Sequence, residues 1–90
     1  LARGQADNLL RAVNLASSSM DETLNNLAED SSYRYAYLSG EVNNSVDNFE
    51  RVIKVEWDSI DLLLVTVEIK WVEKGKIREY ILESLFYVQE

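Results

Sequence analysis

Val65-Thr66-Val67-Glu68-Ile69-Lys70-Trp71 decides the fold. Side chains of an extended chain alternate between two faces, so Val65, Val67, Ile69 and Trp71 share one side while Thr66, Glu68 and Lys70 share the other. One apolar and one polar side mark a strand of an antiparallel sheet, packed on one face and wet on the other. Leu63 extends the apolar row upstream, giving a strand from Leu62 to Val72. Before it, Asp58-Ser59-Ile60-Asp61 has turn chemistry, because Asp and Ser bond to nearby backbone groups. Before that turn, Phe49, Ile53, Val55 and Trp57 line one face of a second strand, Phe49 to Trp57. After the deciding stretch, Glu73-Lys74-Gly75-Lys76 closes a hairpin around its glycine. The segment beyond it reads two ways. Ile77, Tyr80, Ile81, Leu85 and Val88 make a helical stripe, whereas Tyr80, Leu82, Phe86 and Val88 make a strand face. The tight turn and the aromatic content favour a strand, which is the reading adopted.

Towards the N-terminus the period changes. Ala2, Ala6, Leu9, Val13, Ala16, Met20, Leu24 and Leu27 recur at steps of three or four, the spacing of one helix face. The helix is expected over residues 1–28, about 42 Å long. Ser19-Met20-Asp21-Glu22 fits a capping box that would break it, but the stripe keeps its phase across that point, so one helix is expected, with room for a bend. Leu10, Ala12 and Leu15 lie off the main stripe. They are the expected subunit-interface residues, facing a partner while the main stripe faces the sheet. The chain opens at Leu1 inside the helical pattern with no capping Ser, Thr, Asp or Asn ahead of it, and the helix is expected to continue upstream. Residues 29–48 are expected to be a loop. Within them Tyr33, Tyr35 and Tyr37 suit a short extended segment over the helix–sheet seam, Ser39-Gly40 a turn, and Glu41 to Asn48 a polar loop carrying a formal glycosylation triplet, Asn43-Asn44-Ser45. The expected fold is therefore a single α+β domain over 1–90: a long N-terminal helix packed on a small antiparallel sheet of three to four strands, the sheet spanning 49–89.

Composition narrows the chemistry. Ninety residues make one small domain, which buries about 60–65% of its unfolded surface. The net charge of −7 is uneven. Residues 1–20 hold Arg3 and Arg11 against Asp7, or +1, leaving −8 for the rest. An acidic domain repels phosphate backbones, so no nucleic-acid contact is expected. Cysteine and histidine are both absent, which removes thiolate chemistry and the commonest general base. Gly4, Gly40 and Gly75 are too scattered for a phosphate-cradling loop. Glu79 and Glu83 share a strand face, but four residues of strand separate them by about 13 Å, beyond the roughly 5–9.5 Å of glycosidase carboxylate pairs. No catalytic residue and no cofactor are expected. Glu56, Asp58 and Asp61 form a weak candidate cation site against the plainer reading of a solvated turn. Trp57 and Trp71 both fall on apolar strand faces and are expected in the core.

The C-terminal half carries a resemblance. Phe49-Glu50-Arg51-Val52-Ile53-Lys54-Val55 leads into Val65-Thr66-Val67-Glu68-Ile69-Lys70-Trp71, then Gly75, then Arg78-Glu79-Tyr80-Ile81-Leu82-Glu83-Ser84-Leu85. A strand ending in Trp, a Gly turn and a strand ending in Leu-acid-Ser/Thr-Leu resembles the small minor pilins and pseudopilins of the type IV pilin-like class. The likeness is closest to V-type minor pilins and the I-type minor pseudopilin of type II secretion. It covers about forty residues well and the helix generically. The resemblance implies a structural and assembly subunit of a pilus or pseudopilus, with a hydrophobic upstream segment that anchors it in the membrane before assembly. Its partners would be other pilin or pseudopilin subunits, its location extracytoplasmic, and its roles those of filament assembly in adhesion or protein transport. The processing site and early glutamate of such proteins have no counterpart in these 90 residues. The alternative is a protein-interaction module with no membrane anchor and no catalytic activity.

Overall fold

The computed structural model describes residues 3–29 and 41–88, with helix side chains from Asp7 onward. One helix, α1 (Arg3–Glu29), precedes four strands: β1 (Val42–Val46), β2 (Phe49–Ser59), β3 (Leu62–Glu73) and β4 (Lys76–Tyr87). The strands form a single antiparallel sheet in chain order, each following the last through a hairpin, and α1 lies across β3 and β4. The architecture is α+β, one helix on one face of a four-stranded antiparallel sheet.

Register explains why the deciding stretch sits at the centre. Ile53 pairs with Val67 and Val55 with Val65 on one side of β3, while Val67 pairs with Leu82 and Ile69 with Tyr80 on the other. Paired residues point to the same face, so these rows stack into one apolar surface beneath the helix. Leu63, Val65, Val67 and Ile69 are completely buried there, joined by Phe49, Ile53, Val55 and Trp71. The last segment is a strand, as the turn chemistry indicates. Lys74 and Gly75 both have positive φ, 52° and 75°, the two-residue geometry whose twist matches that of the strands it joins.

Three expectations need correcting. The first is the polar loop Glu41 to Asn48, and with it the loop boundary at 48, since Val42–Val46 is strand β1. Val42 pairs with Ile53 and Val46 with Phe49, so two valines at the ends seat the strand while the polar residues between them obscure its pattern. Asp47 and Asn48 form the turn with φ of 50° and 59°, and Asn and Asp tolerate this conformation better than other residues with a Cβ. The glycosylation triplet lies inside this strand. The second is Trp57, which is 52% exposed and not in the core. It has the correct parity, but it pairs with Leu63 at the end of the ladder, where the register shifts between Trp57 and Ser59. The third is the helix phase. Expectations for Tyr33, Tyr35, Tyr37 and the Ser39-Gly40 turn fall on residues 30–40, outside the described residues.

The helix runs unbroken through Ser17-Ser18-Ser19, so Ser19 caps nothing. Its buried face is Ala12, Ala16, Ser19, Met20, Thr23 and Leu27, with Leu15 and Leu24 packed half-buried beside it. This face keeps Ala16, Met20 and Leu27 of the hydrophobic stripe and is turned from it by about 50°, half of one residue's step. Leu9, on the stripe, is 49% exposed, whereas Ala12, off the stripe, is fully buried. Two buried polar residues account for the rotation. Thr23 Oγ1 donates to the Ser19 carbonyl at 2.8 Å, and Arg51 Nη1 donates to Ser19 Oγ at 3.0 Å. A buried polar group is tolerated when it is hydrogen-bonded, and Arg51 reaches up from the sheet to provide that bond. Ala12 and Ala16 then sit against the sheet, where their small side chains permit close approach.

Candidate interaction surface

The expected interface trio does not share a surface. Leu10 is 59% exposed and points away from the sheet, Leu15 is half-buried against the core, and Ala12 is fully buried. Ala12 is therefore a packing residue and no part of an exposed interface. Its place beside Leu10 is taken by Leu9, which hydrophobic periodicity assigns to the core. Leu9 and Leu10 form the exposed apolar patch on the N-terminal half of α1. Hydrophobic pattern alone misses Leu9, because Leu9 has the same helical phase as the buried Leu27, and periodicity does not record where along the axis the packed contact with the sheet ends.

That half of the helix is held down at two points. Asn8 Nδ2 donates to Glu73 Oε1 at 3.0 Å, and the other Glu73 oxygen lies 3.9 Å from Arg78 Nε. The Arg11 guanidinium sits 5.5 Å from the centroid of the Phe49 ring, which itself meets Trp71 edge-on at 5.7 Å between centroids. Such cation–π and edge-to-face contacts each contribute about 0.5–1.5 kcal/mol. The patch is thus carried on an anchored helix. Among the described residues the buried Trp71 Nε1 has no hydrogen-bond partner, a local cost within an otherwise apolar cluster.

The sheet face away from the helix is mixed. Lys54 Nζ lies 3.3 Å from Glu68 Oε1 and 3.8 Å from Glu41 Oε1. The hydrogen bond that Lys54 donates to Glu68, followed by the charges of Glu68 and Glu41, raises the Lys54 pKa. Around that pair stand Glu50, Glu56, Glu79 and Glu83, while Ile77, Ile81, Leu85 and Tyr87 project from β4 on the same face, all exposed. Glu79 and Glu83 do share this face, two rungs apart through their partners Lys70 and Thr66. Glu56, Asp58 and Asp61 are not gathered. Among the described residues no three acidic side chains come close enough to hold a metal ion, and the Asp61 carbonyl is already taken by the Val88 amide at 2.8 Å. Two shallow, open cavities of about 280 and 320 Å³ lie at the hairpin end beside Trp71 and Ile77 and along β1 beside Asn44 and Arg51, at the low end of the roughly 300–1,000 Å³ of small-molecule pockets.

Searches against protein families, curated proteins and solved structures return no match. No described helix is long and apolar enough to cross a membrane.

Proposed function

We propose that this chain is the globular portion of a minor pilin or minor pseudopilin, a structural subunit that works by helix packing in a type IV pilus or a type II secretion pseudopilus. One observation carries the reading. Among the described residues one helix of 27 residues, about 40 Å long, lies along one face of a sheet of consecutive hairpins, with Trp71 near the end of β3 and Lys74-Gly75 turning into β4. That arrangement agrees with what the sequence resemblance implies. The anchored helix presents Leu9 and Leu10 outward near its N-terminal end, where an apolar contact with neighbouring subunits is required. In this reading the protein is extracytoplasmic, an apolar segment upstream holds it in the membrane, and its partners are other pilin-like subunits.

Two experiments test the proposal. Reading the codons upstream of Leu1 should reveal a short basic leader followed by about 20 apolar residues, the length of a membrane span. In the source organism, the joint substitution Leu9→Glu and Leu10→Glu should leave the domain folded and stop its incorporation into filaments. A start codon close upstream with no apolar segment, or normal incorporation of the double variant, would sink the proposal.

A further inference from the structure

The two edges of the sheet are unlike. β1 is five residues long and polar in its middle, and β2 next to it carries a register shift. Short, polar or bulged edges are how proteins avoid pairing with other chains. β4 is neither short nor bulged, and its four charged residues are of mixed sign. It is twelve residues long with no proline, it pairs with β3 in one uninterrupted register from Glu73↔Lys76 to Leu62↔Tyr87, and among the described residues no strand lies beyond it.

The ladder shows which groups this edge presents. Val88 donates its amide to the Asp61 carbonyl, continuing the β3–β4 register by one rung. Hydrogen-bonding residues alternate along an antiparallel strand, so the even-numbered residues of β4 bond to β3. Ile77, Glu79, Ile81, Glu83, Leu85 and Tyr87 consequently turn their amides and carbonyls towards the open edge. The strand is also electrically balanced. Lys76 and Arg78 offset Glu79 and Glu83, in a chain whose net charge is −7.

We infer that the β4 edge pairs with β4 of a second copy of this chain, antiparallel and centred on Leu82, to give a continuous eight-stranded sheet. A two-fold pairing places one residue opposite its own copy, and charge selects which. Centring on Ile81 opposes Glu79 to Glu83 twice, and centring on Glu83 opposes that carboxylate to itself. Like charges directly opposite are destabilising. Centring on Tyr80 avoids this but leaves Leu85, Phe86 and Tyr87 unpaired. Centring on Leu82 pairs Ile77 with Tyr87, Glu79 with Leu85 and Ile81 with Glu83, engages the strand along its whole length, and opposes no like charges. Every outward-turned residue then meets another, and Ile81 of each copy lies diagonally across from its counterpart on the wet face. The inference does not rest on the filament reading.

The chain has no cysteine, so single introduced cysteines report the register directly. In the Leu82-centred pairing the two Leu82 Cα atoms form a non-hydrogen-bonded pair about 4.5 Å apart, within disulfide reach. Under mild oxidation of the 90-residue chain, Leu82→Cys should form a disulfide dimer about tenfold faster than Ile81→Cys or Ser45→Cys, since diagonal neighbours about 7–8 Å apart and the opposite edge are beyond that reach. Ile81→Pro removes an outward amide without touching the β3 ladder and should abolish the cross-link. Sedimentation of the unaltered chain should show a reversible dimer that strengthens with salt, because two chains of −7 repel and salt screens that repulsion. A monomer at every concentration and salt, equal cross-linking of Leu82→Cys and Ser45→Cys, or faster cross-linking of Ile81→Cys would each overturn the inference. A monomer that acquires a strand from a different protein would overturn it as well.

Discussion

The seating of the helix on the sheet is the structural result most open to direct attack, and Ala12 and Leu9 put it to the test. If hydrophobic periodicity set the packed face, Leu9 would be a core leucine and Ala12 would lie off the packed face. Leu9→Ala would then cost about 2–5 kcal/mol, as core leucine truncations do, and Ala12→Leu would fall within about 0.5 kcal/mol of neutral. The observed packing reverses both. Leu9 is 49% exposed, so roughly half of a leucine's burial energy of about 1.5–3 kcal/mol is available to lose, or about 1 kcal/mol. Ala12 is 0% exposed against the sheet, and adding an isobutyl group there forces the helix away or pushes side chains off their rotamers, at about 1–3 kcal/mol. Ala12→Leu is therefore expected to be the more damaging substitution, although it adds apolar surface and improves nothing else. Urea unfolding followed by circular dichroism separates the cases. With a denaturant slope of about 1 kcal/mol/M for a domain this small, Ala12→Leu should lower the midpoint by about 1–3 M and Leu9→Ala by about 1 M or less. A neutral Ala12→Leu beside a Leu9→Ala loss above about 2 kcal/mol would refute the rotated packing.

Two further outcomes follow from groups already described. Trp71→Phe keeps most of the ring packing against Phe49 and removes the unpartnered indole N–H, so relief of a penalty of about 1–3 kcal/mol offsets the lost area. It should stay within about 1 kcal/mol of the parent, while Trp71→Ala should lose about 3–5 kcal/mol in the same urea assay. If Phe is nearly as damaging as Ala, the reasoning about that N–H fails. Because Glu68 and Glu41 raise the Lys54 pKa, its contribution to stability is fully present below the ordinary lysine value of about 10.4 and is lost as pH rises through the higher folded-state value. The urea midpoint should therefore fall in that alkaline window by more in the parent than in Lys54→Met. Identical falls in the two proteins would show that Lys54 gains nothing from Glu68.

The sequence by itself determined the elements with strong periodicity and explicit turn chemistry. Val65 to Trp71 alternates cleanly because β3 is central and packed on one face, and Lys74-Gly75 admits a tight turn because glycine carries no Cβ penalty at positive φ. The helix, too, was legible in extent. Its orientation about its own axis was not. Hydrophobic periodicity measures apolar content and is blind to a serine and a threonine whose hydrogen bonds are completed inside the fold. Arg51, thirty-two positions away in the chain, makes Ser19 acceptable against the sheet, which brings Ala12, on the same side of the helix about two turns earlier, inward with it. Leu9 has the same phase as the buried Leu27, and only its place along the axis exposes it. β1 was hidden for a related reason, since its pattern consists of two valines whose partners, Phe49 and Ile53, belong to the next strand. Trp57 shows the converse. Strand parity placed it correctly, but burial depends on how far the helix and sheet extend, and the ladder slips just beyond it. The candidate surface divides the same way: Leu10 was readable as an off-stripe leucine, while Leu9 beside it and the open edge of β4 exist only once long-range pairing has fixed which groups are already satisfied.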